Sequence, residues 1–274
     1  FTVDSRPVTV PPLRSAPLAD SMSYVAADRS VKVLLSASYG GNKVTVNPIG
    51  PDGIAQPAQQ IMATEPNAHC IVADPSNRYV LHTSLGGDLV YVEKFDAKTG
   101  KLAPSDPPNV SVKAKAGPRH LVFAPKGKFV YLLNELDASI YVFPWDAETG
   151  TLKKEVQVAT SLPDGFDGKP WAADIHLTPD GKFLYASERT TSTLAAFRVD
   201  PNTGMLTSID SYPTEKQPRG FSIDPTGRYL LAVGQLSNSM TSYAIDKATG
   251  KLTKLKEYPM GKNPNWVEIV AFSR

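Results

Sequence analysis

Apolar residues along this chain fall in short runs, some continuous and some alternating with polar positions, and no run sustains a helical period. The runs return in a fixed order. A first apolar run (Cys70 to Ala73, Leu121 to Ala124, Ile175 to Leu177, Phe221 to Ile223) meets a turn reading DPSN, APKG, TPDG or DPTG. Pro with Gly or Asn supplies the dihedral angles of a tight reversal there. A second run follows at once (RYVLHTS, KFVYLLN, KFLYASE, RYLLAVG), then a polar link, then an alternating run (DLVYVEKFD, SIYVFPWD, TLAAFRVD, SMTSYAID). A Thr-Gly turn (KTGKL, ETGTL, NTGML, ATGKL) leads into the last run. Val, Tyr, Phe, Ile and Leu dominate, so each unit is predicted as four short antiparallel strands.

The turn residues keep one spacing. Pro75, Pro125, Pro179 and Pro225 are each followed twenty-five positions later by a Gly (Gly100, Gly150, Gly204, Gly250), and successive units repeat every 46 to 54 residues. That period is near the range of propeller blades and away from helical solenoids. A single four-stranded sheet cannot bury both its faces, so the units must pack against each other around an axis. The expectation is an all-β protein, a β-propeller of four-stranded antiparallel blades, forming one body over residues 1–274 with five complete repeats and partial blades at both termini.

Composition changes this picture little. The 274 residues are 41% hydrophobic, enough for a substantial core, and 24 Pro and 19 Gly suit a chain with many turns. The formal charge of +2 is nearly balanced and no basic stripe is interleaved with aromatics, so nucleic acid is not expected as a partner. No apolar run reaches membrane-spanning length and no signal peptide is visible, so neither is a membrane. Cys70 is the only cysteine, falls in a predicted inner strand and cannot form an internal disulfide, which points to a reducing, cytoplasmic setting.

The repeat also places candidate chemistry. In a meander the inner strand crosses from one face of the disc to the other, and the second strand returns. The residue opening the first and the residue closing the second therefore share a face. Six residues before each turn Pro stand His69, Arg119, Ala173 and Arg219; ten after it stand Leu85, Glu135, Arg189 and Gln235. Immediate neighbours add His120, Asp174, Asn134 and Glu188. The Pro turns and Thr-Gly turns fall on the opposite face with ordinary turn residues, so function is expected on one face, around the axis. Any one Arg or Glu near a strand end is commonly a solvated rim residue. Their coincidence in successive blades is what marks a site. His176 lies mid-strand, as a core histidine or a support for the site; His82 is assigned to packing or surface. Trp145, Trp171 and Trp266 read as packing, with Trp171 placed to stack on a sugar.

A hydrolytic site needs a base to activate water and donors for the oxyanion, and a small anionic ligand needs guanidinium groups to hold it. Glu135 and His69 are the candidate bases; Arg119, Arg189 and Arg219 are the candidate anion clamps; His120, Asp174, His176 and Gln235 complete the candidate binding set. No metal-ligand spacing, phosphate-cradling Gly loop or G-x-S-x-G elbow is present, so the expected reaction uses no metal, cofactor or acyl-serine.

Four motifs, AGPRHLVFAP, LLNEL, WAADIHLTPDGKFLYASERT and QPRGFSIDPTGRYLLAVGQ, resemble the bacterial 6-phosphogluconolactonase family of lactonase propellers, whose superfamily includes the fungal 3-carboxy-cis,cis-muconate lactonizing type. The resemblance implies a seven-bladed ring and a small anionic sugar-acid or dicarboxylate lactone as substrate. It also points to Arg119, Glu135, His69 and Arg189 as site residues; SERT departs from the commoner SNRG pattern, which leaves Glu188 without an assigned role. Three functions stand: a lactonase acting on 6-phosphogluconolactone, a muconolactone cycloisomerase, and a non-enzymatic propeller that binds another protein. Family members are longer than this chain. Phe1 to Leu13 reads as the outer hairpin of a preceding blade, the first full unit starts near Met22 in degenerate form, and Asn265 to Phe272 (NWVEIVAF) reads as a lone inner strand. The expectation is a chain lacking about one and a half N-terminal blades, or else a smaller ring closed by its two ends.

Overall fold

The structure, a computed structural model, describes residues 15–270. All regular secondary structure among them is β, and the first unit runs β1 (Tyr24–Ala27), β2 (Val33–Ser38), β3 (Lys43–Pro48) and β4 (Gln60–Ala63). Blade 2 holds β5 (Ala68–Ala73), β6 (Tyr79–Ser84), β7 (Leu89–Asp96) and β8 (Lys101–Ser111). Blade 3 holds β9 (Pro118–Phe123), β10 (Phe129–Asn134) and β11 (Ser139–Asp146), with an outer strand split into β12 (Thr151–Leu152) and β13 (Gln157–Thr160). Blade 4 is β14 (Ala172–Leu177), β15 (Phe183–Glu188), β16 (Thr193–Val199) and β17 (Leu206–Pro213). Blade 5 is β18 (Pro218–Ile223), β19 (Tyr229–Gly234), β20 (Ser239–Ile245) and β21 (Leu252–Pro259). Every neighbouring pair is antiparallel and follows chain order.

Inner strands β1, β5, β9, β14 and β18 pack side by side in succession, and four apolar cores fill the spaces between consecutive blades. The fixed Pro-to-Gly spacing has a packing cause. Each Thr-Gly turn lies against side chains that precede its blade, an aromatic ring for three of the four and Val33 with Gln59 for Gly100: a Cβ at Gly204 would sit 2.5 Å from the Phe129 ring, and one at Gly250 2.3 Å from Phe183. Tyr131 and Tyr185 donate hydroxyl hydrogen bonds to the carbonyls of those glycines at 3.0 and 2.7 Å. The turn register is therefore part of the blade-to-blade contact.

The degenerate first unit folds like the others because its turn keeps the Asp. Asp28 Oδ1 accepts from the backbone N–H of Lys32 and Val33, just as Asp74 Oδ1 does from Arg78 and Tyr79 and Asp224 Oδ1 from Arg228 and Tyr229. Asp, not Pro, carries this reversal.

One expectation is corrected. Asn265 to Phe272 was predicted as an inner strand, but residues 264–270 form none; 271–274 and the Phe1 to Leu13 hairpin lie outside the described residues. The segment is held by side chains rather than a ladder. Trp266 packs edge-on against Tyr24 and His120, with ring centroids 5.3 and 6.1 Å away, and its backbone lies on Gly220, where a Cβ would come within 2.9 Å of the Asn265 carbonyl.

Candidate active site

The opening residue of each inner strand is aimed by a bulge. In blades 2 to 5 the pairing of inner and second strands slips at the same place: between Ala68 and Ile71, beside Arg119, between Ala172 and Ile175, and beside Arg219. An extra residue there breaks the alternation and re-aims side chains, as bulges next to sites do. Two backbone N–H groups left without a ladder partner are taken by hydroxyls of the second strand: Cys70 N donates to Thr83 Oγ1 and Asp174 N to Ser187 Oγ, both at 3.0 Å. The Thr83 hydroxyl in turn donates a hydrogen bond to the Arg119 carbonyl at 2.8 Å, joining blade 2 to blade 3.

A cavity of about 540 Å³ opens on the face opposite the Pro turns, with His69, Glu135, Trp171, Arg189 and Arg219 on its wall beside Tyr39 and Ser23. Glu135, its side chain only 13% exposed, holds the charges together: its Oε2 accepts from Arg119 Nε at 2.8 Å and is ion-paired with Arg189 Nη2 at the same distance, and its Oε1 accepts from Trp171 Nε1 at 3.2 Å. Arg189 also donates to the carbonyls of Trp171 and Ala172, and its guanidinium lies 3.9 Å from the Trp171 ring centroid. Arg119 spends Nη1 on the Ala173 carbonyl and on His120 Nε2. Among the described residues, Arg119 Nη2, Arg189 Nη1 and the whole Arg219 guanidinium have no hydrogen-bond or ion-pair partner. Burial pulls Arg119 down to about 10 and Arg189 to about 9, so both remain cationic at neutral pH. Three guanidinium groups outnumber Glu135, and Asp20, the other carboxylate on the wall, is paired with Lys43 at 2.9 Å, so the site is positive.

His69 is nearly inaccessible, and its Nδ1 has no hydrogen-bond partner. Burial, then the Arg119 charge, holds its imidazole well below the ordinary value, so it is neutral. Deeper along the axis Arg119, His120, Arg219, Tyr24 and Trp266 border a second space of about 290 Å³. Towards the Pro turns, His120, Asp174 and His176 line a third of about 370 Å³. Asp174 lies between two imidazoles, with His120 Nδ1 2.7 Å from its Oδ1 and His176 Nε2 3.1 Å from its Oδ2. Burial opposes the Asp174 charge, yet the two imidazoles hold its carboxyl well below the usual range. His120 is lowered to about 4 by burial and by Arg119, whereas His176, against the same effect of burial, is raised by Asp174.

A pH dependence of stability follows. The unfolded chain takes protons at His69 and His120 below pH 6.5 that the fold refuses, so stability is intact above that value and declines from there towards pH 4. The slope is on the order of 1 kcal/mol per pH unit. His176 works in the opposite sense, adding stability below pH 6.5 that is lost as pH rises through its raised value. Urea unfolding at about pH 5 and pH 7 should give a lower midpoint at the acidic pH with an unchanged slope; equal midpoints would contradict the neutral burial of the two histidines.

The structure thus brings His69, Glu135, Arg189 and Arg219 to one cavity, with Arg119 tied to Glu135 from beneath. It sets His120, Asp174 and His176 in a layer behind Arg119. Gln235 is not brought to the cavity; its Nε2 donates to Asn263 Oδ1 at 2.9 Å on the outside. Glu188 is fully buried and closes its own loop, accepting from Trp171 N and from the N–H and hydroxyl of Thr191. Tyr39 and Ser23 were missed because the first unit has no bulge and its alignment was blurred. Among the described residues no group of three or more His, Cys, Asp or Glu is arranged to hold a metal ion.

Residues 1–269 match the profile described as Lactonase, 7-bladed beta-propeller. The chain belongs to this lactonase family. A 6-phosphogluconolactonase from Pectobacterium carotovorum is 43% identical over 210 residues, 76% of this chain, and one from Serratia proteamaculans is 43% identical over 211. The chain spans 62% of the length of these curated relatives. Among solved structures, the Pseudomonas aeruginosa periplasmic gluconolactonase superposes with a TM-score of 0.83 at 29% identity, covering 89% of this chain and 72% of that one. A Bacteroides fragilis protein, provisionally named a 6-phosphogluconolactonase, gives 0.83 at 32% identity over 91% of this chain and 73% of its own. Membership confirms the blade reading, since the matched family is itself a propeller.

Proposed function

We propose that this lactonase-family chain carries a site that hydrolyses the lactone of a phosphorylated sugar acid, 6-phosphogluconolactone to 6-phosphogluconate. The observation that carries the reading is one cavity walled by a neutral imidazole, a carboxylate paired with the Arg189 guanidinium and a free guanidinium at Arg219, with Arg119, the carboxylate's second partner, on the adjoining space. The names of the curated relatives support the same substrate. His69 accepts a proton from the attacking water, since it is the candidate base not already bound to cations. Glu135, which the sequence ranks equally, has Oε2 shared by two guanidiniums and serves to hold them. The water oxygen bonds to the lactone carbonyl carbon, and the negative charge that develops on the carbonyl oxygen meets the uncommitted N–H groups of Arg119 and Arg189. The ring C–O bond then breaks, the ring oxygen takes the proton from His69, and the new carboxylic acid releases its own proton to solvent.

Arg219 binds the phosphate, being the guanidinium on the cavity wall with no competing carboxylate. Trp171 offers a ring face to the sugar while Arg189 occupies its other side. Arg219→Ala should raise KM for 6-phosphogluconolactone about tenfold or more while leaving glucono-lactone nearly unaffected. Equal effects on both lactones, in a coupled spectrophotometric assay, would remove Arg219 from the phosphate. Running 3-carboxymuconate beside them tests the cycloisomerase alternative, which predicts turnover of that substrate and none of the sugar lactone. We place the protein in the cytoplasm, with Cys70 fully buried and unpaired. The periplasmic title of the Pseudomonas relative makes cell fractionation the deciding measurement. The described residues contain no helix long and apolar enough to cross a membrane.

A further inference from the structure

We infer that Asp174 is a positioning residue that acts on Arg119 through His120, by fixing which ring nitrogen of His120 carries the proton. The inference rests on the hydrolytic reading only for its kinetic consequence. Asp174 is itself held: Ile175 N donates to Oδ1 at 3.0 Å, Phe221 N to Oδ2 at 3.2 Å, and its own N–H is taken by Ser187. A carboxylate accepts only, so the 2.7 Å contact to His120 Nδ1 requires the proton on Nδ1. The imidazole is neutral, which leaves Nε2 bare and able to accept from Arg119 Nη1 at 3.2 Å. Arg119 is then gripped at Nη1 by His120 and the Ala173 carbonyl and at Nε by Glu135, so the guanidinium plane is fixed and only Nη2 is left for a ligand. With the proton on Nε2 instead, two N–H donors would face each other and the plane would turn. His120 has aromatic neighbours on several sides (Tyr24, His69 and Trp266), so the ring cannot swing away to relieve that conflict. A carboxylate that orients an imidazole, which in turn orients a cation, follows the logic of outer-sphere partners at catalytic and metal sites.

The chain has only four histidines, so nitrogen-15 NMR of labelled protein resolves the tautomer directly. His120 should show a protonated Nδ1 and a bare Nε2 at neutral pH; the opposite pattern overturns the inference whether or not the protein turns over a lactone. Asp174→Ala should shift His120 towards the Nε2–H form and lower kcat about 10- to 100-fold with a smaller change in KM. Asp174→Asn, whose amide oxygen still accepts from Nδ1–H, should recover much of that rate. In an Arg119→Ala background Asp174→Ala should cost little more, about threefold at most, because the two losses run through the same guanidinium. Full additivity in that cycle would assign Asp174 a role independent of Arg119. Should Asp174→Ala fail to fold, the wild-type tautomer and the Asp174→Asn variant still decide.

Discussion

Arg119→Ala is expected to lower kcat/KM on 6-phosphogluconolactone by about 10²- to 10³-fold while the five blades stay folded. The loss has two parts. One is the N–H at Nη2, the donor left without a partner on the adjoining space. The other is the Glu135 anchor, because the carboxylate then keeps only Arg189 and Trp171 and moves towards them. The fold should persist, since Glu135 is still paired and the inner strand keeps its ladder to β10. Arg119→Lys should not restore the rate: one ammonium cannot serve Glu135, His120 and the Ala173 carbonyl at once. Glu135→Gln should be impaired to a similar extent, because two buried guanidiniums 2.8 Å from one oxygen then meet a neutral amide in place of a counter-charge. Steady-state assays with circular dichroism of each variant separate lost chemistry from lost structure. Wild-type turnover in both Arg119→Ala and Glu135→Gln would remove the cluster from catalysis.

His69→Ala should be comparably severe, about 10²- to 10⁴-fold in kcat, with KM little changed. The basis is a neutral imidazole on the wall of a cavity where Glu135 is already paired with Arg189 and Asp20 with Lys43. Because burial and Arg119 hold His69 well below pH 6.5, the acid limb of the wild-type rate should also lie well below that value. An acid limb at the ordinary histidine position would mean a solvated imidazole, in conflict with this site. A rate in His69→Ala within threefold of wild type would move the proton-accepting role to another group.

The blade pattern is readable in the residues because its causes are local. Pro, Gly and Asp impose turn geometry wherever they stand, and β-branched and aromatic runs mark the strands between them. The shared face of His69, Arg119, Glu135, Arg189 and Arg219 is readable too, since a four-stranded meander fixes which strand ends lie together. What spacing does not carry is the bulge. One extra residue at each inner-strand opening shifts the alternation, so Asp174 and His120 turn out to stand behind Arg119 rather than beside it at the cavity wall. Thr83 and Ser187, whose hydroxyls satisfy the bulged backbone, look like ordinary strand residues until the slip is known. Gln235 aligns with Glu135 and Arg189 by count yet turns to Asn263, because the segment after β21 supplies a polar neighbour that the repeat does not encode. NWVEIVAF has strand composition, but a single apolar ring can anchor a segment as well as a ladder does, and Trp266 does so between Tyr24 and His120.

The central proposal is that a phosphorylated sugar lactone is opened in the cavity walled by His69, the proton acceptor, and Arg189, an oxyanion donor, with Arg119 donating from the adjoining space. The most direct measurement is the rate of 6-phosphogluconolactone loss with wild-type protein, followed beside His69→Ala and the spontaneous reaction in the same buffer. The account predicts wild-type hydrolysis far above the spontaneous rate and a His69→Ala rate close to it. Wild-type protein no faster than buffer, or His69→Ala as fast as wild type, would contradict it.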